Sequence, residues 1–177
     1  MSSMSRASVE TARLLLRWFN VEDVEAFYEL GSNREVIRYV GNAPFESLDA
    51  ARQTLLAAPL SDYETHGYGR FACVWKESGR VIGACGVKFL PELREAELGY
   101  RFLPEFWGMG LATEAGQACV EFARSELGLK RLIGLVHPQN IASARVLRKL
   151  DFYLEGKTEM ASMPGIDLDL HVRHISG

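Results

Sequence analysis

Cysteine is scarce in this chain: Cys73, Cys85 and Cys119 are the only three in 177 residues, odd in number and widely spaced. No CxxC and no paired histidine accompanies them, which argues against a disulfide scaffold and a zinc site. His66, His137, His171 and His174 lack ligand spacing, so no metal is expected and each is read as structural. There is no apolar run of membrane-spanning length, and the opening MSSMSRAS has no apolar leader core. Neither a membrane nor export is expected, and the predicted compartment is the reducing cytoplasm. An excess of positive charge is missing too: the net charge of −3 argues against nucleic acid as the main partner. Finally, no GKS or GKT occurs, which excludes a Walker phosphate loop.

What is present is an ordinary globular composition, 47% hydrophobic and 24% charged, with no repeat, linker or low-complexity segment. The length predicts one domain over residues 1–177 with a sizeable core. The most informative stretch is Glu95 to Ala115, EAELGYRFLPEFWGMGLATEA. It reads as a strand, a turn at Pro104, two close glycines and a helix from about Leu111. Amides at a helix start lack intrahelical partners and sit at the positive end of the dipole, so an anion is the natural guest. Gly108 and Gly110 carry no side chain to hold a phosphate away, and a phosphate-bearing cofactor is predicted. Taken as glycines alone, a plain strand-to-helix turn would serve equally. A dinucleotide fingerprint would need a third glycine and an opening βαβ unit, and neither occurs.

Along the chain, Glu10–Phe19 reads as a first strand, and Asn20 with Asp23 as a cap before a helix bearing Val24, Phe27 and Tyr28. Short helices are predicted over 35–40, ending at Gly41, and over 48–58, closed by Pro59. Strands over 70–76 and 80–90 flank a hairpin turn at Glu77-Ser78-Gly79 and lead into the strand carrying Glu97. Leu111–Leu127 is a well-patterned helix stopped by Gly128, and Arg131–Val136 a short buried strand. In HPQNIASARVLRKLDF, Asn140 suits an N-cap and Ser143, Val146, Leu147 and Leu150 share one helical face. Strands over 157–160 and 168–175 close the chain.

Two of these stretches carry a resemblance. WGMGLATEA after AELGYRFLPEF resembles the acetyl-coenzyme A loop of the GNAT N-acetyltransferase superfamily, and HPQNIASARVLRKLDF resembles its second motif. ETARLLLR resembles the opening of the RimJ/RimL-like branch, the ribosomal-protein N-terminal acetyltransferase-like group. The resemblance runs from Glu10 to about Gly156. It implies an α/β (α+β) GNAT fold: a single mixed, mostly antiparallel sheet of six to seven strands flanked by helices, with acetyl-CoA held where two central strands splay. By resemblance, Phe102, Leu103, Trp107, Gly108, Met109, Gly110, Leu111, Ala112, Thr113 and Asn140 bind that cofactor, and a bulge near Leu103 frees an amide for the oxyanion. Trp107 stands where Gln or Arg is usual, Asp151 where Gly is commoner, and Leu147 where many members have a tyrosine acid.

Acetyl transfer to an amine needs an uncharged nitrogen, a stabilised oxyanion and a proton for the thiolate. The resemblance makes Glu97 the base, directly or through water; the bland reading is a carboxylate paired with a neighbouring Arg. Glu95, on the same strand face, is its competitor. Ser143 is either a hydrogen-bond donor to the thiolate or a plain helix-face serine. Arg145, Arg148 and Lys149 either meet nucleotide phosphates or form a solvated face. The resemblance puts a protein or peptide N-terminal α-amine first as acceptor; a polyamine, amino-acid derivative or aminoglycoside comes next, and a non-catalytic acetyl-CoA binder third. A monomer and a homodimer both fit the sequence.

Overall fold

The computed structural model describes residues 7–176. Its leucine-rich opening segment first pairs with itself. Thr11 N–H donates to the Leu14 carbonyl at 2.8 Å, and Thr11 Oγ1 accepts from Leu14 N–H at 3.0 Å, closing a tight turn. The single strand predicted over Glu10–Phe19 is therefore two antiparallel strands, β1 (Ser8–Glu10) and β2 (Leu14–Trp18). That extra strand is why the sheet has eight strands and not the predicted six to seven.

Asn20 and Asp23 cap each other as predicted: Asn20 Oδ1 accepts from Glu22 N–H, and Asp23 Oδ2 from Asn20 N–H, both at 2.9 Å. Helix α1 (Val24–Ser32) follows. The helix predicted over 35–40 is instead a run of turns. Asn33 Oδ1 takes the N–H groups of Glu35 and Val36, a local alternative to the helical ladder.

Helix α2 (Leu48–Leu55) starts on Ser47, whose Oγ accepts from Ala50 N–H. Pro59 does not close it as predicted. Residues Leu56–Leu60 widen into a π-helical turn containing Pro59, and the chain resumes as α3 (Ser61–His66) until Gly67, at φ +76°, turns it. Proline lacks an N–H and crowds the turn before it, and the wider turn accommodates both defects.

β3 (Arg70–Trp75), β4 (Arg80–Leu90) and β5 (Glu95–Phe102) form the antiparallel centre, joined by the predicted hairpin and a short turn. Helix α4 (Leu111–Ser125) crosses over to β6 (Arg131–Val136), which lies parallel to β5. Gly128 ends the helix at φ +64°, with Leu129 N–H returning to the Ala123 carbonyl at 3.0 Å. After α5 (Ile141–Lys149) come β7 (Tyr153–Thr158), which begins before the predicted 157, and β8 (Leu168–His174). Across the sheet the order is β1-β2-β3-β4-β5-β6-β8-β7.

The two sheet faces have different covers. Helix α4 buries Leu111, Ala115 and Cys119 against Leu16, Leu98 and Phe102. Opposite, Phe19, Leu55 and Tyr63 pack on Ala72, Val81 and Ala84. The three cysteines are free and buried, with the Cys85 and Cys119 sulfurs 3.7 Å apart.

Candidate functional site

The parallel pairing of β5 and β6 lasts for a single register pair, Glu97 with Ile133. Beyond it β6 departs and a gap opens along β5. On the other edge the β4 ladder runs on unbroken, and Leu103 N–H donates to the Ile82 carbonyl at 3.0 Å. The bulge predicted near Leu103 is therefore absent and that amide is already bonded. Successive amides in a strand leave on opposite sides, so those of Tyr100 and Phe102 face the gap. The Phe102 carbonyl, on the same edge, accepts from Trp107 Nε1 at 2.7 Å, which folds the glycine loop back along the strand end.

In that loop Gly108 and Gly110 have φ of +78° and +80°. A Cβ on Gly108 would meet nothing within 4 Å, and one on Gly110 only the Arg13 guanidinium at 3.8 Å. Their backbone conformation, not crowding, requires glycine. No side chain caps α4, so the first amides of Leu111, Ala112 and Thr113 have no such partner. Residues 107–110 are exposed, whereas the side chains of Phe102, Leu103 and Leu111 are buried; Phe102 and Leu111 have only their backbone to offer, and Leu103 has its amide bonded to Ile82 and its carbonyl to Phe106 N–H. An open gap that leads to uncapped amides fits a long ligand ending in phosphates.

A cavity of about 640 Å³ joins the gap to the sheet face beneath α1 and α2, and Glu97, Tyr100, Asn140 and Ser143 line it. Asn140 caps α5, its Oδ1 accepting from Ser143 N–H at 3.2 Å. Ser143 faces inward: the Tyr100 hydroxyl donates to its carbonyl at 2.8 Å, and the two hydroxyl oxygens lie 3.0 Å apart. Burial pushes the Tyr100 phenol up, against the opposing pull of the Ser143 hydrogen bond, so it stays protonated near neutrality.

Glu97 is largely buried and forms an ion pair with Arg70 through Oε1. Arg70 reaches it by lying flat across two glycines. A Cβ on Gly86 would meet Arg70 Cα at 2.9 Å, and one on Gly99 would meet the Arg70 guanidinium at 1.6 Å. Directly opposite Glu97 in register stands Lys88, whose ammonium lies 2.6 Å from Asp62 on α3. Glu95, the predicted competitor, points to Arg131 at 3.0 Å and does not line the cavity. Arg145, Arg148 and Lys149 are exposed on α5.

Tyr100, Arg70 and Arg101 were not singled out from the sequence. Period two along β5 could have flagged Arg101 as sharing the face of Glu97, but Arg70 and Tyr100 are brought in by pairing and by the splay. Glu97, Ser143 and Asn140 meet in one cavity, while Trp107 to Thr113 lie outside its lining, in the loop and first turn that follow β5. Among the described residues no three His, Cys, Asp or Glu gather into a metal site, and no helix is long and apolar enough to cross a membrane.

Residues 13–153 match the family described as Acetyltransferase (GNAT) domain. The uncharacterized N-acetyltransferase YoaA of Bacillus subtilis is 36% identical over 149 residues, 84% of each chain. The Escherichia coli spermidine N(1)-acetyltransferase is 27% identical over 80% of this chain and 74% of its own. An acetyltransferase structure from Agrobacterium tumefaciens superposes with a TM-score of 0.82 at 26% identity, over 96% of this chain and 95% of that one. The RimL ribosomal L7/L12 acetyltransferase superposes at 0.79 with 20% identity, over 96% and 95%, a likeness of fold alone. With the family match over residues 13–153, a relative 36% identical over 84% of each chain and a matching fold, the chain belongs to the GNAT acetyltransferase family and is an acetyl-CoA-dependent acyltransferase.

Proposed function

We propose that the chain transfers the acetyl group of acetyl-CoA to a primary amine seated beside Glu97, by direct attack in a ternary complex. The observation that carries this reading is the single cavity joining Glu97 to the Tyr100–Ser143 pair at the mouth of the β5–β6 gap. The incoming ammonium gives a proton to Glu97, directly or through one water; Glu97 Oε2 has no partner among the described residues and is free to take it. The neutral nitrogen then attacks the thioester carbonyl. The amides of Tyr100 and Phe102, facing the gap, stabilise the oxygen as charge develops on it. The carbon–sulfur bond breaks, the departing thiolate receives a proton from the Tyr100 hydroxyl, relayed or assisted by Ser143, and the remaining extra proton on the new amide nitrogen passes to the Tyr100 phenolate. Tyr100 thus fills the role left open by Leu147, from a strand instead of the helix.

The acceptor this geometry supports best is a small amine. The cavity has the volume of a small-molecule site and is walled by α1, the 34–40 turns and the 160–163 loop. The peptide α-amine, first by resemblance, gains no support from neighbours that share only the fold.

Incubation with acetyl-CoA and a panel of small amines and N-terminal peptides, read by mass spectrometry beside Glu97→Gln, tests the reading. Acetylated small amines, lost or slowed ~100-fold or more in the variant, are expected for removal of a general base. Acetylation confined to peptides would overturn the small-acceptor assignment. Acetyl-CoA binding with no product from any acceptor would mark a binding protein.

A further inference from the structure

The polar floor of the cavity does not match a plain amine. Five charged side chains line it: Arg70, Lys88 and Arg101 on one side of the ledger, Asp62 and Glu97 on the other, so one positive charge is in excess. Four of the five are spoken for, as the pairs Arg70–Glu97 and Lys88–Asp62. Arg101 has no hydrogen bond or ion pair among the described residues. It stands on β5 in register with Ala84, two positions past Gly99, on the same sheet face as Glu97. Its side chain is half-buried and opens into the cavity. Burial, then the neighbouring Arg70 charge, lowers its pKa to about 10, with Glu97 acting the other way; it therefore remains cationic at neutral pH.

A guanidinium drawn partly out of water with no protein partner gains from a ligand that supplies one. We infer that Arg101 is the anchor for a carboxylate carried by the acceptor, so that the substrate is an amino carboxylate with its amine at Glu97 and its acid at Arg101. The guanidinium fork suits a carboxylate in two-point contact. The single excess charge matches a monoanion better than a phosphate dianion, and it opposes a polyamine outright. Phe27, Ile37, Phe45, Met160 and Met163 on the walls call for an apolar body between or beside the two ends. The inference rests on the proposed acetyl transfer in the same cavity and narrows its substrate class.

Matched acceptor pairs test it: L-leucine against 3-methylbutylamine, L-phenylalanine against phenethylamine, and 6-aminohexanoate against hexylamine, with spermidine alongside. At least one carboxylate member should exceed its partner in kcat/KM by about tenfold or more, as expected for a partly desolvated charge-assisted pair. Arg101→Gln should bring that ratio close to one, chiefly by raising KM for the carboxylate member, and Arg101→Lys should fall between. Calorimetric binding of isovalerate, 3-phenylpropionate and hexanoate against their primary amides to the acetyl-CoA-free wild-type protein needs neither turnover nor a variant, and the carboxylates should bind tighter. Preference for the plain amines or spermidine with no carboxylate preference in the calorimetry would overturn the inference and leave acetyl transfer standing. Carboxylate binding without any acetylation would uphold the anchor and remove the activity. An Arg101→Gln defect confined to acetyl-CoA affinity, with the ratio intact, would assign the residue to the cofactor and also overturn the inference.

Discussion

Arg13 and Glu114, 101 residues apart, hold the glycine loop onto the edge of the sheet. Arg13 Nε donates to Glu114 Oε1 at 2.9 Å, while its Nη2 donates to the Met109 carbonyl at 2.8 Å. Thr11 Oγ1 and the Arg13 backbone N–H both donate to Glu114 Oε2, at 2.7 and 3.0 Å. One carboxylate at the start of α4 thereby fixes the β1–β2 turn, and one guanidinium fixes the carbonyl between Gly108 and Gly110. The acid also lies at the helix end where negative charge is stabilising.

Arg13→Ala should therefore weaken acetyl-CoA without touching the acceptor cavity. A several-fold to ~30-fold rise in KM for acetyl-CoA is expected, matching loss of one or two charge-assisted bonds of ~1–2 kcal/mol in all. Titration calorimetry with coenzyme A checks it; an unchanged affinity would mean the loop holds its shape alone. Burial would push Glu114 up, but the bonds from Thr11 and Arg13 outweigh it and its pKa lies below the usual carboxylate value. Because the folded pKa is depressed, this stability is complete above the unfolded value near 4.5 and is lost as pH falls further. Glu114→Gln should flatten the melting-temperature profile below that point.

Gly99→Ala probes the path that Arg70 takes to Glu97. The added methyl would overlap the far end of a flexible side chain, not backbone, so Arg70 swings aside and β5 keeps its path. The melting temperature should fall by only several degrees, because the displaced Arg70 leaves the largely buried Glu97 carboxylate to the water of the open cavity at a cost of ~1–2 kcal/mol. Activity should nevertheless drop by ~10-fold or more, since the ion pair that orients Glu97 is broken. Equal loss of stability and activity would instead point to general damage of β5.

Much of this was readable beforehand, and the reasons differ by element. The glycine loop, α4 and α5 declare themselves locally, through cap residues and a 3.6-residue period, and Gly108, Gly110, Asn140 and Ser143 lie on them; Glu97 stands on the alternating strand β5. The misreadings came from effects that local pattern does not carry. Thr11 folds the opening strand into a hairpin, Pro59 is absorbed by a widened turn, and Asn33 diverts a helical segment into turns. The polar floor of the cavity was illegible for another reason: Arg70, Lys88 and Arg101 come from three strands, and only the register of β3, β4 and β5 sets them side by side.

Tyr100→Phe keeps the ring and removes the hydroxyl that meets Ser143. A loss of ~100-fold in kcat, the lower end for a general acid, is expected, with the step sensitive to leaving-group pKa. Burial raises the phenol's pKa, so no loss of activity from its ionisation should appear on the alkaline side up to pH 9. Ser143→Ala should cost less, because the phenol retains the Ser143 backbone carbonyl as an anchor. Comparable losses in both variants would make the serine the donor and Tyr100 its support.

His171 supplies a pH effect in a different window from that of Glu114. It lies on β8 opposite Gly134 and Leu154, buried, and neither ring nitrogen has a hydrogen-bond partner among the described residues. Burial lowers its pKa from 6.5; Asp169 pulls the other way and Arg148 adds to the lowering. The folded protein thus resists the proton that the unfolded chain accepts. With more protons bound by the unfolded state, stability falls as pH drops below about 6.5 and recovers above it. His171→Phe fills a similar volume, removes two unpaired nitrogens and has nothing to titrate. Its melting temperature should match or exceed wild type at pH 7, and the gap between them should widen by pH 5. Parallel profiles over that range would show that His171 stays uncharged in both states or finds a partner when protonated, and the acid sensitivity would then belong to the carboxylates.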